Sequence, residues 1–304
     1  MDGVLLIDKP AGPTSHDVVA RLRQTSGADR MGHTGTLDPR ATGLLPLVLG
    51  RATRLASLLG GSDKTYEAVV HLGVVTDTDD ADGQPIDGPG GALPDDTALD
   101  AALARFIGTL EQVPPDHSAK RVGGHRAYDL ARQAKPVTLQ PSRVTVHSLE
   151  RTSRTGDRVG LRVTASSGFY VRALARDLGR ALGCGAHLLE LRRTKSGVFD
   201  ISQAVSLEAA ERLGAGIAGH VLSPGDALPD LMGVRVTAAG LKRASHGNPL
   251  SPEHLEERHI PVASTADAPA GAPPKPVKVM TGDGRLIALA WARGGALHPV
   301  VVLG

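Results

Sequence analysis

A single cysteine, Cys184, stands in 304 residues. Its isolation excludes an intrachain disulfide and any zinc site that needs several thiolates. A lone thiol of this kind reads as a small buried apolar residue rather than a reactive one. Long apolar runs are missing too. With 41% hydrophobic and 22% charged residues, the chain has the average of a soluble globular protein, and no window approaches the ~18 consecutive apolar residues of a membrane span. The opening MDGVLLIDKPAGPTS lacks the basic leader and long apolar core of a secretory signal, so a cytoplasmic location and no membrane partner are expected. No HExxH motif occurs among the 12 histidines, and His254 and His259 lie five apart, off the spacing that best shares a helical face. SDKTY carries a Lys-Thr pair without the glycine directly before Lys64 that a phosphate-binding loop requires. In DTDDADG the fifth ligand position counted from Asp77 is Ala81, and Gly83 falls one place late. The calcium-loop pattern fails there, and an acidic surface turn is expected instead. The sequence thus offers neither a nucleotide site nor a metal site.

What is present is an uneven distribution of charge and size. A chain of 304 residues exceeds the usual span of one compact core. Two domains are expected, 1–228 and 229–304, with the boundary falling between Gly225 and Leu231. The net charge is only +2, yet from Asp63 to Ala101 ten acidic residues face Lys64 alone. From His117 to Lys195 the balance reverses, with sixteen Lys and Arg against five Asp and Glu. Such a basic excess points to a polyanionic partner, because neutralising phosphates releases counterions and supplies much of the affinity for nucleic acid.

The patterning predicts a strand over the first apolar run, a Pro/Gly turn, and a helix entered at Thr14 or Ser15. A second helix is expected after the segment ending at Arg54. KTYEAVVHL reads as a strand with Tyr66, Ala68, Val70 and Leu72 on one side. DTALDAALARFIGTLEQ has helical spacing through Leu99, Leu103, Phe106, Ile107 and Leu110. A basic loop or short helical insert follows over Pro114 to Pro136, with a Gly123-Gly124 hinge. RVGLRVTASSGFYVRALARDLGRALG predicts a strand, a turn and an amphipathic helix. Beyond the boundary come a strand, a short helix, a Pro/Ala-rich loop over 263–276, and strands about a GDG turn.

One carboxylate demands a decision. In GHTGTLDPRATGLLPLVLGRATR, Asp38 followed by Pro39 has the form of a helix N-cap and first-turn pair. Local sequence favours that structural role. The whole string, however, closely resembles the catalytic motif of the TruB family, bacterial synthases that convert uridine to pseudouridine in the T arm of tRNA, at position 55. LLIDKPAGPTSHDVV is similar to the family's Lys-Pro segment, and KTYEAVVHLGVVTDTDDADG to its tyrosine motif with the following acidic turn. SSGFYVRALARDLG resembles its arginine motif, and LLELRRTKSGVF its Leu-Arg-Arg segment. These stretches run in the family's order from Leu5 to Phe199.

The resemblance implies a mixed α/β catalytic domain with a central, largely antiparallel sheet and a small C-terminal PUA-like domain that contacts RNA. It implies Asp38 as nucleophile, Tyr66 beside the target base and Arg172 paired with the nucleophile. His33, Tyr170 and Leu191 would surround the extruded nucleotide, with Lys9 of the Lys-Pro segment also on the substrate side. The basic insert, with Lys120, Arg121, Arg126, Arg132 and Lys135, would clasp RNA and stay mobile until it does. No cofactor is implied, since the reaction moves a glycosidic bond from N1 to C5 without oxidation or a group donor. A carboxylate suits this as it suits retaining glycosidases. A monomer acting without an obligatory protein partner is implied as well.

Each residue also has a plain structural reading. Arg172 could form an exposed helix ion pair with Asp177 or a neighbour, Tyr66 and Leu191 could be core, and His33 a polar turn residue. The chain departs from the family at His117, where an aromatic residue is usual, and at the 263–276 loop. Two other functions compete: an RNA chaperone that folds tRNA with or without catalysis, and a synthase that depends on guide RNA and protein partners.

Overall fold

The computed structural model describes residues 1–115, 121–122, 125–126, 139–260 and 275–304. In chain order its main elements are β1 (Gly3–Lys9), α1 (Ser15–Ser26), β2 (Met31–His33), β3 (Thr42–Leu49), β4 (Lys64–Leu72), α2 (Asp96–Ala104), β5 (Gly108–Gln112), β6 (Ser142–Thr155), β7 (Arg158–Ala165), α3 (Val171–Leu182), β8 (Ala186–Ser196) and α4 (Leu207–Leu213). The strands form one mixed sheet in the order β1-β3-β8-β4-β7-β6-β5, with Val205–Ser206 paired outside β1 and β2 paired to β3. Only the β3–β8 contact and the Val205–Ser206 edge are parallel; the other pairs are antiparallel. A mixed α/β fold with a largely antiparallel centre is therefore what the chain adopts.

Local sequence explains the entry to most elements. Thr14 caps α1: its side chain accepts from the Asp17 N–H while Asp17 accepts from the Thr14 N–H, and Gly27 ends the helix at φ 68°. Helix α3 packs on β8 and β4, and its Val171, Leu174, Ala175 and Leu178 share a core with Ala68, Val70, Leu161 and Val163. The helix expected to run from Asp96 through Leu110 stops at Ala104. Gly108, at φ 103°, turns the chain into edge strand β5, and Ile107 is left exposed. The helix expected after Arg54 is present as a short segment, Ala56–Gly60.

A second sheet takes up the C-terminal part: β9 (Gly233–Arg235), β10 (Val277–Met280), β11 (Leu286–Arg293) and β12 (Ala296–Val302), with α5 (Ala238–Ser245) against it. It has its own core around Val236, Leu250, Val279 and Leu297. Its other side joins a cluster in which Leu286, Leu289 and Leu303 meet Val4, Leu6, Leu44 and Val48 of the large sheet. Positions 263–274 of the Pro/Ala-rich loop lie outside the described residues. Among the described residues no helix is long and apolar enough to cross a bilayer.

Candidate active site

Asp38 lies in the loop between β2 and β3, and no helix follows it. Pro39 and Arg40 form a bend that leads into strand β3, so the N-cap reading of Asp38 fails. The loop is held on both sides of that residue. Ser15, itself buried, donates from Oγ to the Leu37 carbonyl at 3.0 Å and accepts from the Leu37 N–H at 2.9 Å. The Pro39 carbonyl accepts from the Gly12 N–H at 2.9 Å and from Lys9 Nζ at 3.0 Å. Buried Arg193 donates to the Gly35 carbonyl at 3.1 Å and to the Leu44 carbonyl at 2.7 Å. Room for this strut depends on Gly43, at φ 97°, where a Cβ would come within 2.3 Å of the Arg193 carbonyl oxygen.

So anchored, Asp38 keeps 43% of its side-chain surface accessible while Arg172, at 6%, is nearly buried beside it. The two are joined at 3.0 Å, from Arg172 Nη2 to an Asp38 carboxylate oxygen. The other arm of the guanidinium reaches Asp80 at 3.3 Å and the Thr78 carbonyl at 3.4 Å. The expected structural alternative, an Arg172–Asp177 pair, is not formed; Asp177 instead accepts from Arg176 at 2.9 Å. Close protein walls desolvate Asp38 and push its pKa up, Arg172 pulls it down, and Asp80 and Asp82 push it up again. Water at the open side of the recess moderates that rise. The turn Asp79–Asp82 is itself fixed by arginines: Arg176 holds Asp79 at 2.9 Å and Arg40 holds Asp82 at 3.3 Å.

Asp38 and Arg172 open onto a cavity of about 260 Å³ whose walls include Tyr66, Phe169, Tyr170, Leu191, Lys64 and Arg193. That volume is below the ~300–1,000 Å³ of clefts for larger ligands and suits a single flat base with its sugar. Tyr66 and Arg193 are direct cross-strand partners on β4 and β8, so they reach the same face. Bulges in β8 on either side of Leu191–Arg193 set that short stretch against the loop. Burial pushes the Lys64 ammonium down to about 8, with Arg193 adding in the same direction. A larger groove of about 600 Å³ lies across the other face of β4 and β8 and contains neither Asp38, Tyr66 nor Arg172.

The expected substrate-side residues divide. Tyr66, Tyr170 and Leu191 join Asp38 and Arg172 at the cavity. His33 does not line it; its ring meets His16 edge-on with centroids 5.3 Å apart. Lys9 is fully buried, with its pKa lowered to about 8 by burial, and its ammonium donates to the Pro10 and Pro39 carbonyls. In the free chain it braces the loop and lines no part of the cavity. Arg121 and Arg126 are backbone register partners in a pair of two-residue strands, Arg121–Val122 with His125–Arg126. Lys120, Arg132 and Lys135 lie outside the described residues, as do His117 and most of the insert. Sequence reasoning missed Asp80, Arg193, Ser15 and Lys64. Asp80 falls in the acidic turn, Lys64 in the Lys-Thr pair, Ser15 at the helix entry and Arg193 in the Leu-Arg-Arg segment, but none of these patterns shows the contact that each side chain makes.

Comparison with known proteins decides the family. The model of the TruB family pseudouridylate synthase N-terminal domain matches residues 23–171, and that of the tRNA pseudouridylate synthase B C-terminal domain matches 172–216. A tRNA pseudouridine synthase B from Xanthomonas campestris is 43% identical, over 94% of this chain and 92% of its own length. The chain belongs to the TruB family. A tRNA pseudouridine synthase B from Thermobifida fusca agrees, at 42% identity over 99% of this chain and 98% of its own. Among solved structures, a Cbf5-Nop10-Gar1 complex superposes with a TM-score of 0.73 at 27% identity, covering 99% of this chain and 85% of that one. The two TruB segments meet at the start of helix α3, and they share one sheet, because β8 of the second segment inserts between β3 and β4 of the first.

Proposed function

We propose that this chain isomerises uridine to pseudouridine at position 55 in the T arm of tRNA, with Asp38 as the reacting carboxylate. The observation that carries the reading is the Asp38–Arg172 pair: one acid, held open to a base-sized cavity, with a fixed counter-charge behind it. Identity of 42–43% to proteins named tRNA pseudouridine synthase B, against 27% to a Cbf5-containing complex, supports direct action on tRNA. The same difference in identity supports action without guide RNA or an obligatory protein partner, and we read the chain as a monomer.

The chemistry follows from those positions. A uridine stacked in a folded arm must swing out to reach the cavity, at a cost of roughly a few kcal/mol. Contacts from the basic insert and from the PUA-like C-terminal unit offset that cost. In the cavity, the N1–C1′ bond breaks with its electron pair going to the uracil ring, the ring turns, and C5 bonds to C1′. The C5 proton is then lost and N1 gains one, so atoms and electrons balance without a cofactor. Asp38 acts at the base–ribose junction, by bonding to C1′, by bonding to C6, or by assisting a glycal path. Each route needs the carboxylate ionised and touching the nucleotide. Arg172 favours the ionised form, and Tyr66 stacks on the uracil and helps remove the C5 proton as a general base, its phenol oxygen taking that proton as its own O–H proton is passed on.

The test is the purified chain with an unmodified tRNA transcript and nothing else. Pseudouridine at position 55 and at no other uridine is expected. Product that appears only with added RNA or protein would support a guide-dependent synthase. Improved tRNA folding without product would support a chaperone alone.

A further inference from the structure

Helix α3 delivers Arg172 from its second position, so where the helix starts decides where the guanidinium points. Its N-cap residue, Tyr170, has no side-chain cap. The peptide of Tyr170 is instead gripped from 58 residues away. Gln112, the last residue of β5, donates from Nε2 to the Tyr170 carbonyl at 3.0 Å and accepts from the Tyr170 N–H at Oε1 at 2.8 Å. Gln112 is only 3% exposed although β5 is an edge strand. Burying a primary amide is unfavourable unless its donors and acceptors are matched, and here one side chain matches both backbone polar groups of a single residue, bridging the two successive peptide units that flank the Tyr170 Cα. One turn along α3, Arg176 repeats the link by donating to the carbonyl of Val113, the next residue of the same segment, at 2.8 Å.

We infer that Gln112 is a positioning residue for isomerisation: by clamping the Tyr170 peptide it sets the first turn of α3, and so the reach of Arg172 to Asp38 and the placing of the Tyr170 ring at the cavity. The inference rests on the reading of Asp38 and Arg172 given above. A packing role alone would need only the shape of Gln112. The clamp needs a donor and an acceptor on the same side chain.

That difference can be tested with Gln112→Leu and Gln112→Glu, run beside the wild type and Asp38→Asn on a T-arm transcript. Single-turnover rate and RNA affinity are measured on folded protein at pH 8 and pH 6. Gln112→Leu should react at least tenfold more slowly, with RNA affinity within threefold of wild type. Gln112→Glu at pH 8 presents a carboxylate to a carbonyl and should be similarly slow. Burial against a carbonyl oxygen favours the neutral carboxyl, which regains an O–H donor beside an acceptor, so lowering the pH to 6 should raise its rate relative to wild type at least fivefold. The clamp is refuted by a Leu variant within twofold of wild type, by a Glu variant whose relative rate is unchanged between the two pH values, or by loss confined to RNA affinity. Failure to fold in the Leu variant would leave the Glu ratio to decide. An active wild type with an inactive Asp38→Asn would show that the underlying reading stands even if the clamp falls.

Discussion

Arg172 divides one guanidinium between two carboxylates, Asp38 at 3.0 Å and Asp80 at 3.3 Å. The competition sets a pH prediction. Desolvation and the neighbouring acids hold the Asp38 pKa above its ordinary value, and a reaction that needs the ionised form loses rate as pH falls through that raised pKa. Asp80→Asn removes a like charge and frees Arg172 for Asp38, so both effects lower the pKa. The acid limb of the pH–rate profile should move to lower pH, while the plateau rate drops because Arg172 has lost an anchor. An unmoved limb would contradict this placement of charge. Family resemblance made Asp38, Tyr66 and Arg172 legible in the sequence, whereas local sequence favoured a helix cap for Asp38. The contacts of Asp80 and Arg193 were illegible because they are long-range: the Arg193–Gly35 bond spans 158 residues.

Among the elements, the loop between β2 and β3 owes its shape to side chains that arrive from elsewhere. Ser15 does so from the first turn of α1, matching both backbone polar groups of Leu37. Ser15→Ala would leave that buried N–H and C=O unmatched, at a cost of about 1–3 kcal/mol. It should lower thermal stability and slow turnover while RNA affinity changes little, as read by unfolding curves and single-turnover rates. Element types were readable where periodicity and caps agreed, as in α1 and β4. They were not readable past Ala104, where helical spacing continued through Phe106 and Ile107 but the left-handed backbone at Gly108 redirected the chain. A single glycine outweighed the apolar pattern.

At the scale of the whole molecule, the opposed charge blocks meet each other. Arg151 and Arg154 from the basic stretch pair with Asp96 and Asp100 of the acidic one, Arg162 pairs with Glu67, and Arg176 with Asp79. Part of the excess that pointed to a polyanion is therefore satisfied internally, and RNA attraction falls more heavily on cations outside these pairs. Raised salt should still weaken tRNA binding, with a log–log slope set by the phosphates contacted rather than by the sixteen basic residues counted in sequence. The C-terminal sheet is joined to the large one by a shared apolar cluster and by Arg51, which donates to the Leu303 carbonyl at 3.0 Å. Leu289→Ala in that cluster should cost ~2–5 kcal/mol, measured by denaturant unfolding.

The central claim is that the Asp38 carboxylate reacts while the rest of the surface binds. Pseudouridine mapping on a T-arm transcript, with wild type and Asp38→Asn at matched RNA occupancy, tests it most directly. The variant is expected to give no product while its RNA affinity stays within about tenfold of wild type, ~1.4 kcal/mol. Product formed by Asp38→Asn at a rate near that of the wild type would contradict it.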